Sequence, residues 1–250
     1  MEYNAIKVNT EDNICMIQLY RPDFRNTINS ELVEECLSAI NQCEASAKII
    51  IIEGLPEIFC FGADLEKESS EDENSKRQPD LLYELWYKLA TGPFISVSHV
   101  RGQANAGGVG FVSASDIVIA DKTAVFSLSE LLFGLYPAMV LPFLIRKIGF
   151  QRANYMTLMT KPISVKTAYE WGLVDIYGEK SNILLKQHLA RLSKIPKSGI
   201  INYKNYMNQL THNLSQSRKS AVESNVNMFS NEENLARIQQ FVDYGKYPWE

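Results

Sequence analysis

The residue with the most chemistry to account for is Glu130. It lies in residues 124–138, AVFSLSELLFGLYPA, as a lone carboxylate among Phe126, Leu128, Leu131, Leu132 and Phe133. Such a group is either an outlier turned to solvent or a carboxyl held in an apolar pocket. In a pocket the ionised form is disfavoured, the pKa climbs toward neutrality, and the group becomes an acid/base usable near neutral pH.

Bare backbone offers a second kind of chemistry. Residues 98–116, SHVRGQANAGGVGFVSASD, hold four glycines in an otherwise apolar run, and no acid stands among them. With a strand ending before them and a helix beginning at Gly107 or Gly108, the first amides of that helix lack intrahelical acceptors and sit at its positive end. Missing side chains let a ligand oxygen reach such an amide, so the loop suits a phosphate or a developing oxyanion. The pattern is neither a Walker A loop, which ends in GK[ST], nor a spaced GxGxxG. Close packing of helix on strand would use the same glycines. Residues 58–68, IFCFGADLEKE, repeat the arrangement, with a strand end, Gly62-Ala63 and a turn that Asp64 could cap. Two amides delivered from separate strand ends would suit an enolate oxygen.

These turns need elements to carry them. Two strands are expected near 5–8 and 14–20, and INSELVEECLSAINQCEAS reads as an amphipathic helix capped by Asn29 or Ser30. KIIIIEG suits a strand buried on both faces. Residues 65–80 are polar, charged and read as a mobile loop. LLYELWYKLATG returns to helical spacing, and strands follow at 94–100, 116–120 and 124–127. Beyond Pro137 the pattern turns helical, through YPAMVLPFLIRKIG and then near 153–160, 165–171, 184–194, 198–208, 215–228 and 231–244. Strand–helix alternation followed by helices implies an α/β core on a parallel sheet, with a helical C-terminal part.

Composition narrows the function. A hydrophobic fraction of 46% and a charged fraction of 22% describe an ordinary globular chain. A formal charge of −4, with no basic stripe, argues against nucleic acid or an anionic membrane as principal partner. MEYNAIKVNTED has neither the basic nor the apolar part of a signal peptide, and no run of 18 apolar residues occurs, so the expected compartment is the cytoplasm. Cys15, Cys36, Cys43 and Cys60 show no CxxC pairing and no histidine at ligand spacing. They read as reduced core thiols, with no metal implied; a catalytic Cys60 is the sharper alternative.

Taken together and in order, YRPDFRNTINSEL, FCFGADL, RGQANAGGVGFVSASDIVIA, FSLSELLFGLYP and MFSNEENLARIQQFVDYGKYPW resemble the crotonase (enoyl-CoA hydratase/isomerase) superfamily over nearly the whole chain. The resemblance implies the crotonase fold. Repeated ββα units would form a spiral core over 1–180, and a helical region over 181–250 would serve oligomerisation and pocket cover. It places the oxyanion-hole amides at Ala63 and Gly107. A typical hydratase of the family carries two glutamates, at positions held here by Gly110 and Glu130, so one acid/base is present and its partner is absent. The family's P-G-x-G-G reads Pro137-Ala138-Met139-Val140-Leu141 here, which implies a reshaped, drier pocket.

With these departures the chain closely resembles the dehydratases of the β-branching cassette in trans-acyltransferase polyketide synthases of the bacillaene type. That resemblance implies dehydration of 3-hydroxy-3-methylglutaryl-acyl-carrier-protein to 3-methylglutaconyl-acyl-carrier-protein. Glu130 would move the α-proton. Protonation of the leaving hydroxyl falls to the same carboxyl or to Asp64, Asn105 or Tyr136. No separate cofactor is implied, because the substrate rides on the carrier's phosphopantetheine. Arg25 and Lys246 match positions near the pantetheine and nucleotide phosphates, or would meet the carrier's acidic helix. Lys76, Arg77 and Arg101 are candidates for the substrate's distal carboxylate, and His99 reads as structural. The implied partners are the acyl carrier protein, the other β-branching enzymes and further copies of this chain in a trimer or hexamer. A decarboxylase or isomerase of the same fold, and a silent carrier-binding subunit, are the competing expectations.

Overall fold

A computed structural model describes residues 3–64, 78–210, 213–245, 247 and 249. Its frame is set by β-branched runs. Strands β1 (Ile6–Glu11) and β2 (Ile14–Leu19) pair antiparallel around Asp12-Asn13, whose φ of 47° and 65° give the turn that matches strand twist. Helix α1 (Ser30–Cys43) follows; the Asn29 side chain accepts from the Leu32 N–H at 3.0 Å, so Asn29, not Ser30, is the cap. Its buried face is Leu32, Val33, Cys36, Ala39, Ile40 and Cys43.

Three pairs of strands then repeat one construction. β3 (Ile49–Glu53), β5 (Ile95–Val100) and β7 (Ile117–Asp121) lie parallel in a six-stranded sheet ordered β1-β2-β3-β5-β7-β10, closed by β10 (Ile176–Gly178). Each is followed by a three-residue strand that leaves this sheet for a second one. These are β4 (Ile58–Cys60), β6 (Gln103–Asn105) and β8 (Val125–Ser127), which pair parallel and finish on antiparallel β9 (Ile163–Ser164). Helix α2 (Pro79–Thr91) follows β4 and α3 (Gly107–Ala114) follows β6. This is the ββα spiral of the crotonase fold.

The all-isoleucine run of β3 is explained by its two neighbours. Ile50 and Ile52 join the main core with α1, α2 and α3, while Ile49 and Ile51 join a second cluster with Val97, Ile119 and Leu185. Leu185 belongs to α7 (Ser181–Leu192), which follows α4 (Leu141–Ile148), α5 (Phe150–Met159) and α6 (Val165–Trp171). In α4 the proline near the helix start is Pro142, and Gly149 caps the other end. Helices α8 (Lys197–Leu210), α9 (Asn213–Phe229) and α10 (Glu232–Tyr244) complete the chain. Met228 and Ile238 from α9 and α10 pack on Phe133, Leu135 and Ala138, just beyond Glu130.

His99 is consumed by this frame. Fully buried on β5, it bridges Glu53 (Nδ1–Oε2, 3.1 Å) and Ser181 (Nε2–Oγ, 3.1 Å). All four cysteines are buried and free, and burial pushes the Cys60 thiol up to about 12, which makes it a poor nucleophile.

Candidate active site

The first turn is built where β4 ends. Gly62 has φ of 90°, a conformation glycine takes at little cost, and Ala63 forms an isolated parallel bridge to Ile28. Ile28 N–H donates to the Gly62 carbonyl at 2.7 Å and Asp64 N–H donates to the Ile28 carbonyl at 3.1 Å. In that parallel pattern the N–H of Ala63 itself faces away from Ile28. The turn is anchored from behind. Asp64 Oδ2 accepts from Arg21 Nη2 at 2.8 Å, and both side chains are almost fully buried. Arg21 in turn donates to the Thr27 carbonyl at 2.5 Å. Asn26 accepts from Arg21 N–H at 2.7 Å and donates to the Leu19 and Phe59 carbonyls. The segment RPDFRN is therefore the brace of the Gly62–Asp64 turn, a role its spacing did not disclose.

The second turn abuts the first. Between β6 and α3, Ala106 holds φ of 49° and ψ of −117°, a strained backbone for a residue with a side chain. A methyl group on Gly62 would lie 2.7 Å from Ala106 Cβ and 3.4 Å from Gly107 N, so the bare residue lets the turns meet. Gly107 opens α3, and among the described residues neither its N–H nor that of Ala63 has an acceptor. Two unpaired amides thus stand side by side, as an enolate oxygen requires.

Glu130 begins a short 3-10 helix, Glu130–Phe133, directly after β8 and Ser129. The residue is partly buried as a whole, but its Oε2 is fully buried and has no hydrogen-bond partner among the described residues. Burial raises its pKa from the usual 4.5 to about 7, against the pull of backbone hydrogen bonds at Glu130 and Ser129. The carboxyl is in the pocket, not in solvent.

The position of the missing acid is filled by a ring. A methyl group at Gly110 would sit 2.4 Å from Cζ2 and 2.5 Å from Cη2 of Trp86, which is 1% exposed on α2. Phe111 and Phe143 hold the indole edge-on at 5.9 Å and 6.0 Å, both at 79°. Bareness at 110 therefore serves packing of this ring, not a ligand contact. Trp86 was hidden in LLYELWYKLATG, where its spacing marks it as one more core residue.

A cavity of about 1130 Å³ gathers these groups. Ala63, Asp64, Asn105, Gly107, Glu130 and Tyr136 all line it, as do Trp86, Pro137, Ala138, Met139 and Val140. Asn105 is locked to its neighbours, its amide nitrogen 3.1 Å from Ser129 Oγ and its oxygen accepting from Ser127 Oγ at 2.8 Å. Tyr136 is 43% exposed at the rim. Arg25 also lines the cavity, its guanidinium 3.4 Å above the Phe61 ring and 3.3 Å from Gln103 Oε1. Arg101 instead turns to Glu53 at 3.6 Å and the Gly54 carbonyl at 3.4 Å, outside the cavity lining. Lys76, Arg77 and Lys246 lie outside the described residues, although Gln78, Gly245 and Tyr247 next to them line the cavity. Among the described residues no cluster of His, Cys, Asp and Glu could hold a metal ion, and no helix is long and apolar enough to cross a membrane.

A ββα spiral with paired amides and one buried glutamate defines an acyl-thioester enzyme of crotonase type, and the chain belongs to the enoyl-CoA hydratase/isomerase family, whose profile matches residues 9–250. The chain is 53% identical to the bacillaene synthase dehydratase PksH of Bacillus subtilis over 99% of its own length and 97% of that protein. The crystal structure of pksH from Bacillus subtilis, described as a polyketide biosynthesis enoyl-CoA hydratase, superposes with a TM-score of 0.95 at 52% identity, covering 99% of this chain and 100% of that one. More distant is the 2,3-dehydroadipyl-CoA hydratase of Escherichia coli, 29% identical over 76% of this chain and 75% of that one. An enoyl-CoA hydratase structure from Bacillus halodurans shares the fold with a TM-score of 0.85 at 23% identity, over 94% of this chain and 99% of that one.

Proposed function

We propose that this chain dehydrates 3-hydroxy-3-methylglutaryl, carried on the phosphopantetheine of an acyl carrier protein, to 3-methylglutaconyl during polyketide β-branching. The observation that carries the reading is the buried Glu130 carboxyl, unpaired and raised to about 7, in the same cavity as two unpaired amides. Its kinship to a bacillaene synthase dehydratase supports the same reaction.

The steps follow from the residues. The thioester oxygen accepts from the Ala63 and Gly107 N–H groups, each such donor being worth about 3–4 kcal/mol as charge develops. Glu130, as carboxylate, takes the α-proton, and the C–H electron pair moves onto the thioester as an enolate. The carbonyl re-forms, the α,β double bond appears and the C3–O bond breaks. The leaving oxygen takes the proton back from Glu130 and departs as water, which restores the carboxylate. Asp64 is committed to Arg21, and Asn105 to Ser127 and Ser129, so both position the turns; Tyr136 stands 43% exposed at the cavity, and the buried Glu130 serves as acid as well as base. Arg25 offers the cation for a pantetheine phosphate at the cavity, with Lys246 assigned the same duty. No cofactor beyond the carrier's arm enters this chemistry. We place the protein in the cytoplasm as a trimer or a pair of trimers, working beside the other β-branching enzymes; the exposed Phe150 and Leu158 on α5, 66% and 64% accessible, suit contact between copies.

The test is acyl mass on a carrier protein loaded with 3-hydroxy-3-methylglutaryl. Loss of one water with the unmodified protein, and none with Glu130→Gln, is the expected result. Loss of carbon dioxide from a glutaconyl-loaded carrier would replace the reading with a decarboxylase. Bound carrier without any mass change would leave a binding subunit.

A further inference from the structure

Two helices far apart in sequence wall the same cavity. Helix α2 supplies Pro79, Leu81, Leu82 and Trp86, and α9 supplies Asn225 and Phe229. From Tyr83 onward α2 is fixed by its buried face, which runs through Leu85, Trp86, Leu89 and Ala90. Its first turn has no such grip. Gln78 at the cap gives the helix no side-chain hydrogen bond and turns to Glu34 of α1 at 3.0 Å instead. Pro79 has no N–H, and Leu81 and Leu82 are only half-buried.

Arg218 of α9 supplies the grip. Its Nε and Nη2 donate to the two carboxylate oxygens of Asp80, at 2.9 Å and 2.7 Å, and Nη2 also reaches the Asp80 carbonyl at 3.4 Å. Its Nη1 donates to Glu84, one turn further along α2. A two-pronged pair of this kind fixes direction as well as distance, which a point charge does not. Between the two acids, Tyr83 Oη donates to the Leu214 carbonyl at 2.6 Å. Along α9, Arg218, Val222, Asn225 and Phe229 recur at helical spacing and share one face. The face that holds α2 at one end therefore lines the cavity at the other.

As a prop for the fold this cluster is poorly placed. The Asp80 side chain is 60% exposed and that of Arg218 32%, and ion pairs so open to water contribute little stability. What the cluster does fix is where the Leu81–Leu82 turn stands relative to α9. We propose that Arg218 is a positioning residue that sets the width of the cavity between α2 and α9, and so limits the bulk of the acyl group accepted there. The proposal rests on the reading of this cavity as the acyl-thioester site. Arg218 is outside the cavity lining and acts through Asp80 and Glu84.

The test compares a carrier bearing 3-hydroxy-3-methylglutaryl with one bearing 3-hydroxy-3-ethylglutaryl, with water loss followed by acyl mass. One extra methylene against a fixed wall changes kcat/KM by about 10–200-fold, so the unmodified protein should prefer the methyl carrier by at least about tenfold. Arg218→Gln should bring that preference down to about threefold, chiefly through a lower KM for the ethyl carrier. Arg218→Lys keeps the charge without the fork and should fall between. A merely structural role would lower both rates together and leave their ratio alone. No preference in the unmodified protein, or the same preference in Arg218→Gln, would overturn the assignment while water loss keeps the dehydratase reading standing. If the unmodified protein dehydrates neither carrier, that reading falls. The ratio of Kd values for carriers bearing 3,3-dimethylglutaryl and 3-ethyl-3-methylglutaryl, which have no hydroxyl to lose, then decides for the clamp, and a ratio unmoved by Arg218→Gln overturns it. Should Arg218→Gln fail to fold, Arg218→Lys decides by the same ratios.

Discussion

Replacing Glu130 by Gln should make the protein inactive and, in alkaline solution, more resistant to unfolding than the parent. The second effect follows from the buried carboxyl. In the unfolded chain Glu130 titrates near 4.5, in the folded protein near 7. The folded state therefore holds this proton more tightly, and ionisation opposes folding. Below the lower value both states are protonated and nothing is lost. As pH rises the unfolded chain ionises first, so the Glu130 contribution falls through this window and reaches its full penalty above the upper value. At 1.36 kcal/mol for each tenfold step in acid strength, the full penalty is about 3 kcal/mol, and about 2.5 kcal/mol of it develops between pH 5 and pH 8. Gln does not titrate, so the stability difference between variant and parent should grow by that amount. A fixed offset of about 1–3 kcal/mol for the unpaired buried amide leaves the pH dependence intact. Urea unfolding at constant protein concentration, repeated at several pH values, measures the difference directly. In thermal melts the same change is about 5–10 °C for a chain of this size. A difference that stays flat from pH 5 to pH 8 would refute the reasoning, because the carboxyl would then not be buried as described. In parallel, kcat/KM of the parent should rise with pH to a plateau through about 7, and Glu130→Gln should lose about 10²–10⁴ of it.

Gly110→Ala should cost about 1–3 kcal/mol by driving a methyl group into the Trp86 ring, and the further change Trp86→Leu should recover part of that loss in a double-mutant cycle by denaturant melts. Arg21→Met should destabilise by about 3–5 kcal/mol because Asp64 is left as an unpaired buried charge, and kcat should fall with the displaced Ala63 turn. His99→Leu should cost about 1–3 kcal/mol through the hydrogen bonds lost to Glu53 and Ser181, with kcat unchanged, as steady-state rates on loaded carrier will show.

The readable parts of the sequence were those whose signal is periodic or punctuated. The isoleucines of β3, the Asn29 cap and the glycines at the strand ends each state a local requirement that the structure meets. Of the three-residue strands, β8 was legible at 124–127 and the end of β4 in IFC, but β6 carries too little alternation to register, so the pairing of all three into a second sheet, which points both glycine turns at the cavity, was visible only through family resemblance. Glu130 was legible because a carboxylate in an apolar run has few explanations. Arg21 and Trp86 were not, since their meaning depends on partners 43 and 24 residues away, Asp64 and Gly110, that only the fold brings near. The glycines themselves proved unlike in purpose. Gly62 lets two turns abut, while Gly110 accommodates an indole.

The interlock of Gly110 with Trp86 also bears on how such an enzyme changes its chemistry over generations. An ancestor with an acid at 110 cannot acquire the large indole first, because the two side chains claim one volume. A descendant with the indole cannot regain the acid first, for the same reason. Travel in either direction passes through a chain with a small residue at both positions, which has neither the second acid nor the filled wall. Single substitutions therefore lead downhill from both ends, into a valley whose floor is that doubly small chain.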